Sequence, residues 1–186
     1  MSVVAELLAS RGATVAGSDR EDSAVLDHLR SVGVRVFVGH DASHVDPTSV
    51  VVVSTAIRED NPELAIARER GQLVIHRSQA LALAASGMRF IGVAGAHGKT
   101  TTSGMLAIGL SACGLDPSVA VGGVLPQLGT GAHLGGGDVF VAEADESDGS
   151  FLNYSPAIEI VTNVEPDHLD RYHSREEFEQ VFVSFA

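Results

Sequence analysis

The sequence predicts an α/β protein made of two successive parallel-sheet units, and three observations carry that prediction. Short apolar runs alternate with helix-compatible stretches along the whole chain. Residues 92–102 read GVAGAHGKTTT, a glycine-rich loop set between an apolar run and a helical one. Two later apolar runs each end in a polar cluster, on the rim where open α/β sheets collect their ligands.

The elements follow in order. Val3 to Ser10 has a helical pattern, Thr14 to Gly17 reads as a short strand and Ser23 to Ser31 as a helix. Val34 to Val38 is a strand, and Ser49 to Ser54 (SVVVVS) is apolar enough to be buried on both faces. Asn61-Pro62 opens the next helix, with Asn61 as cap and Pro62 in the first turn. Leu73 to Ile75 is a strand and Ser78 to Ala85 a helix. This alternation predicts one parallel sheet covered on both faces, a Rossmann-like domain over residues 1–87, with the boundary at Ser86-Gly87. Gly17-Ser18-Asp19, at a strand end, is either the acid that meets a ribose in dinucleotide-type folds or a cap for the next helix.

Residues 88–186 form the second domain. Phe90 to Ala94 is a strand, the glycine-rich loop follows, and Ser103 to Ala112 continues a helix. Gly122 to Gly137 reads as a loose segment, and Val139 to Ala142 and Ile158 to Thr162 as strands. Ser174-x-x-Glu177 is a capping box for a helix whose stripe of Phe178, Val181, Phe182 and Phe185 has no evident partner. The abrupt start at Met1 and that uncovered stripe predict a truncated protein, cut within a P-loop α/β domain.

Composition bounds the partners. The chain has 186 residues, 45% of them hydrophobic, enough to fill a core. A net charge of −12 argues against a nucleic-acid partner, so a phosphate ligand must be held locally. Cys113, the single cysteine, excludes an internal disulfide and is expected to be a buried structural thiol. There is no membrane-span pattern and no basic-then-apolar leader, so a cytoplasmic protein without membrane association is expected.

The loop itself points to phosphate chemistry. Gly92, Gly95 and Gly98 let successive N–H groups turn toward an anion, and the following helix adds its positive dipole end. Lys99 places a charge on the β- and γ-phosphates, and the Thr100 hydroxyl can ligate Mg²⁺. Val93 stands where the general G-x-x-x-x-G-K-[ST] pattern has its first glycine, which suggests a subfamily. Glu143 follows a buried strand, the position of a Mg²⁺-binding acid in P-loop enzymes. Asp145, Glu146 and Asp148 are weaker candidates, some of them simply solvated. Asn163 and His168 lie in a second strand-end cluster with Asp167 and Asp170, and His97 sits inside the loop. The remaining histidines, His40 and His44 among them, read as surface or packing residues.

Four stretches together resemble the Mur ligase family: residues 54–64 (STAIREDNPEL), 92–102, 141–152 (VAEADESDGSFL) and 162–172 (TNVEPDHLDRY). The loop with His97 before Gly98-Lys99 resembles the alanine-adding branch, and ADESDGSF is unlike the murein-peptide recycling branch. The resemblance implies ATP-driven amide formation through an acyl phosphate, with ATP and Mg²⁺ required and UDP-N-acetylmuramate and L-alanine as substrates. It implies no obligate protein partner. Lys99, Glu143 and His168 would be catalytic, and Gly95, Ala96, His97, Gly98, Lys99, Thr100, Thr101 and Asn163 would hold the nucleotide. Thr100 and Glu143 would bind one Mg²⁺ and His168 a second, while Asn163 and His97 would lie near the nucleotide and the muramoyl group. Ala96 departs from the family's usual threonine, removing one hydroxyl near the phosphates. The family's first strand, its glycine-rich UDP-binding turn, the rest of the central domain and the C-terminal domain would lie outside these residues. A recycling ligase of the same family, a P-loop regulator or kinase, and a UDP-sugar-binding module are the competing readings.

Overall fold

The structure, a computed structural model, describes residues 1–147, 149–165, 172 and 174–185. It divides into two compact units, Met1–Ala84 and Ala85–Ala186.

The first unit runs α1 (Ser2–Ser10), β1 (Ala16–Asp19), α2 (Ala24–Ser31), β2 (Arg35–Val38), a 3₁₀ turn at Ala42–His44, β3 (Val51–Val53), α3 (Pro62–Glu69), β4 (Val74–His76) and α4 (Arg77–Ala84). Local chemistry sets the helix starts. Ser23 is extended and its Oγ accepts from the Leu26 N–H at 3.4 Å, so α2 is capped by Ser23 and not by Asp19. Asn61 Oδ1 accepts from the N–H groups of Glu63 (2.9 Å) and Leu64 (3.2 Å), with Pro62 in the first turn, as its sequence predicts.

The expected single parallel sheet is instead two parallel pairs. β1 joins β2 from Ala16↔Arg35 to Asp19↔Val38, and β3 joins β4 from Val51↔Val74 to Val53↔His76. Among the described residues no strand bridges the two pairs. With three or four residues each, these strands bury only part of their surface, and Val51 to Val53 are half-buried rather than enclosed.

The second unit contains β5 (Arg89–Ala94), α5 (Lys99–Ala112), β6 (Ser118–Leu125), β7 (Thr130–His133), β8 (Val139–Glu143), a 3₁₀ turn at Ser150–Asn153, β9 (Ile158–Val161) and α6 (Arg175–Phe185). Its sheet has the order β7-β6-β8-β5-β9, with β6, β8, β5 and β9 parallel and β7 antiparallel at one edge. The segment expected to be loose, Gly122 to Gly137, therefore holds a hairpin. Its glycines are needed for close approach: a Cβ on Gly131 would collide with the Gly123 carbonyl.

The strand beneath the glycine-rich loop is enclosed. Phe90 through Ala94 are all buried, as are Val139 through Ala142 of β8 beside it. Leu106 and Leu110 of α5 pack on Ile91, Val139 and Val141. The α6 stripe is covered as well: Phe178, Phe182 and Phe185 pack with Ala94, Ala144, Phe151 and Tyr172. Phe151 stacks on Phe185 at 4.7 Å, and Phe185 lies against Gly92, where a larger residue would crowd it. The partner the stripe lacked in the sequence is thus an aromatic turn more than twenty residues upstream. Cys113, the C-cap of α5, is exposed rather than buried, because the helix ends there in a solvated turn.

Candidate nucleotide-phosphate site

The loop leaves β5 at Ala94 and enters α5 at Lys99. Gly95 has φ +132°, and a Cβ there would run into the Thr162 hydroxyl and the Asn163 backbone, so only glycine fits. Gly98, left-handed at φ +84°, is the N-cap and has no side chain to cap the helix. The first-turn N–H groups of α5 are therefore left for an anion.

The end of β9 ties the loop down. The Thr162 N–H donates to the Ala94 carbonyl at 3.0 Å, and Thr162 Oγ1 donates to the His97 carbonyl at 2.6 Å. Asn163 grips the His97 peptide from both sides. Its Nδ2 donates to the His97 carbonyl at 2.8 Å, and its Oδ1 accepts from the His97 N–H at 3.2 Å. Asn163, expected beside the nucleotide, is a brace for the loop backbone. Thr162, which the sequence did not single out, shares that work.

Lys99 is engaged within the protein. Its Nζ donates to the Gly95 carbonyl at 2.6 Å and to Glu146 Oε1 and Oε2 at 2.8 and 2.9 Å. The Lys99 side chain is 17% exposed and that of Glu146 0%. Glu146, one of three weaker candidates in the sequence, is the most enclosed acid at the site among the described residues. The Tyr172 hydroxyl donates to its main-chain carbonyl.

Glu143, at the end of β8, accepts from the Gly122 N–H through Oε1 at 3.0 Å. The neighbouring Gly123 lies against the Thr100 methyl, so closely that a Cβ there would clash. Gly122 and Gly123 of β6 thus lie against Glu143 and Thr100, two of the three predicted Mg²⁺ ligands. Thr100 and Thr101 are exposed at the start of α5, His97 is exposed, and Ala96 is half-buried in the loop. His168, Asp167, Asp170 and Asp148 lie outside the described residues.

The donor set suits a small hard cation. A hydroxyl and one carboxylate suffice for Mg²⁺, which keeps several waters and takes further oxygens from phosphate. Among the described residues no cluster of three or more His, Cys, Asp or Glu is placed to hold a metal on its own. No described helix is long and apolar enough to cross a membrane.

The first unit carries a separate polar constellation. Ser18 Oγ donates to Glu63 Oε2 at 2.6 Å, His40 Nδ1 lies 3.2 Å from that oxygen, and His44 Nδ1 lies 3.0 Å from Oε1. His44 also stacks on Phe37 at 4.1 Å. The two histidines without context in the sequence thus converge on one carboxylate. Beside them is an open cavity of about 260 Å³ whose lining includes Arg20, His40 and Arg58.

The Mur ligase family catalytic domain matches residues 1–89, and the Mur ligase middle domain matches residues 93–186. The UDP-N-acetylmuramate–L-alanine ligase of Paenarthrobacter aurescens is 54% identical over 185 residues, covering 100% of this chain and 40% of that protein. The enzyme of the same name from Streptomyces griseus is 55% identical over 187 residues, with the same coverage. Among solved structures, a UDP-N-acetylmuramate–alanine ligase from Thermotoga maritima aligns with a TM-score of 0.83 at 32% identity, covering 100% of this chain and 44% of that one. The UDP-N-acetylmuramate:L-alanyl-γ-D-glutamyl-meso-diaminopimelate ligase of Neisseria meningitides aligns with a TM-score of 0.84 at 28% identity, covering 100% and 63%. The chain spans about 40% of the length of the curated relatives it matches. With the middle domain accounting for half of its residues, the chain belongs to the Mur ligase family.

Proposed function

We propose that these residues are the UDP-sugar-binding and ATP-phosphate-binding part of a ligase that joins L-alanine to the carboxylate of UDP-N-acetylmuramate. One observation carries the reading: Lys99 and the uncapped first turn of α5 stand at the end of a buried strand, with Thr100 and Glu143 linked through Gly122-Gly123. The choice of L-alanine rests on the curated relatives, which are 50–55% identical across the chain. The first unit, residues 1–87 in the sequence reading, would take the UDP-sugar; Arg20 and His40 around its cavity suit an anionic ligand, while Arg58 there is paired with Asp60.

In this reading the loop N–H groups of Gly95, Ala96 and Gly98 and the first-turn N–H groups of Lys99, Thr100 and Thr101 hold the β- and γ-phosphates, while the His97 N–H stays with Asn163. The Lys99 ammonium neutralises the γ-phosphate, and Thr162 with Asn163 keeps the loop from opening. Thr100 and Glu143 would hold a Mg²⁺ ion, which supplies charge neutralisation on the phosphate oxygens when bound; His168 is proposed for a second. The substrate carboxylate oxygen attacks the γ-phosphorus, ADP leaves, and an acyl phosphate remains. The neutral amine of L-alanine then adds to the acyl carbon, the acyl C–O bond breaks, and inorganic phosphate departs with the proton the nitrogen loses. Such a reaction needs positioning and charge neutralisation more than covalent help from the protein. A cytoplasmic location fits a chain with one exposed, free cysteine.

A chimera tests the proposal. These residues replace the matching segment of the Paenarthrobacter aurescens enzyme, and phosphate release is measured with ATP, Mg²⁺, UDP-N-acetylmuramate and L-alanine. Turnover that Lys99→Ala abolishes is expected. A folded chimera that releases no phosphate with these substrates would overturn the reading. The 186-residue chain by itself is expected to release no phosphate.

A further inference from the structure

We infer that Glu146 is the positioning residue for Lys99, a fixed buried carboxylate that holds the ammonium at the loop mouth before nucleotide arrives. This rests on the nucleotide-binding reading above. Lysine carries three N–H donors. The Gly95 carbonyl takes one, and the two Glu146 oxygens lie within reach of the others. Glu146 cannot follow a moving lysine. Its side chain is fully enclosed, and its own carbonyl is tied to Tyr172, which packs edge-on against Phe178 of α6. Lys99, at the rim and partly exposed, is the member of the pair that can turn toward solvent.

That asymmetry decides the role. A lysine free in solvent samples many rotamers, and ordering it on binding costs affinity. Here the ordering is done in advance by a carboxylate anchored to the aromatic layer beneath the sheet. A phosphate oxygen needs only to draw one N–H away from the Gly95 carbonyl or from one Glu146 oxygen. The other Glu146 oxygen keeps hold of the ammonium. The pair thus links the packing of α6 to the charge presented at the loop, a connection between Glu146, Lys99 and Tyr172 that runs across 73 residues of sequence.

The test is a double-mutant cycle on the 186-residue chain, reading the affinity for AMP-PNP with Mg²⁺ by calorimetry. Glu146→Gln keeps the shape and one acceptor oxygen but removes the charge, and should weaken binding about tenfold. In a Lys99→Met background the same change should have no further effect, since Glu146 acts through Lys99. Tyr172→Phe, which leaves the carboxylate in place but frees its backbone, should weaken binding about threefold, and serves if Glu146→Gln does not fold. Circular dichroism establishes that each variant is folded. Unchanged or tighter binding in folded Glu146→Gln overturns the inference while leaving the nucleotide reading intact. So does an equal loss in both backgrounds, which would indicate a purely structural role. A wild-type chain that binds no AMP-PNP overturns the nucleotide reading and this inference with it.

Discussion

Glu146 and Glu63 are both carboxylates that gather polar partners from distant parts of the chain, yet they are held in different ways. Glu146 is 0% exposed and faces one lysine, behind strands whose residues are buried on both faces. Glu63 is 15% exposed, stands in the first turn of α3, and collects a serine from β1 and two imidazoles from the segment and 3₁₀ turn after β2, in a unit whose strands are only half-buried. The second unit spends its core on a five-stranded sheet covered by α5 and α6, which makes a rigid seat for a charge. The first unit, with two short parallel pairs, has a smaller apolar cluster at Leu26, Leu29 and Val34, and the polar cluster adds cross-links between its elements. Burial of the sheet, more than the number of polar contacts, separates a site that can focus charge from one that mainly cross-links loops.

The largest effect expected from breaking this contrast is at Phe178, which is fully buried among the rings that support Tyr172. Phe178→Ala should cost about 3–5 kcal/mol and melt the second unit well below the first in a thermal scan followed by hydrogen exchange. A loss confined to a fraction of that would mean the aromatic layer is not the support of the site. Next comes Gly95→Ala, where a Cβ must displace Thr162 from a left-handed backbone position; about 3 kcal/mol of destabilisation and loss of AMP-PNP binding are expected. Retained tight binding would show that the loop tolerates rearrangement.

Glu63→Gln sharpens the comparison from the other side. It should cost about 1 kcal/mol, raise exchange in β1, β2 and α3, and leave AMP-PNP binding unchanged. A change in nucleotide affinity would contradict the separation of roles. The smallest effect is at the surface pair of Arg89 and Asp138, which hydrogen-bond at 2.9 Å while both are largely exposed. The Arg89 guanidinium holds the Asp138 carboxyl below the usual carboxylate range. Its contribution is therefore present at neutral pH and is lost as pH falls through that lowered value. Arg89→Gln should shift the melting temperature by less than about 2 °C at pH 7, and by nothing once Asp138 is protonated. A larger shift would mean that this end of β5 is less solvated than its exposure indicates.

Much of the second unit is legible in the chain because the features that define it are contiguous. Gly95 to Thr100 must follow one another to wrap a phosphate, and β5 and β8 are unbroken apolar runs. What stays hidden depends on residues far apart. Nothing local marks Glu146 as buried among four acids in six residues; its partners, Lys99 and Tyr172, lie 47 residues upstream and 26 downstream. The β6–β7 hairpin has too many glycines for a strand pattern, yet those glycines are what let it pass close to Thr100 and Glu143. His40 and His44 acquire meaning only through Glu63, about twenty residues away. In the first unit the strand pattern is visible but the pairing is not, since strands of three or four residues do not specify their neighbours.

Amide hydrogen exchange on the 186-residue chain, with and without Mg²⁺ and AMP-PNP, tests the central claim most directly. Nucleotide should slow exchange at residues 95–101 and at Gly122 and Gly123, with β1 to β4 unaffected. Protection in the first unit with none at the loop would contradict the assignment of the phosphate site to the buried strand of the second.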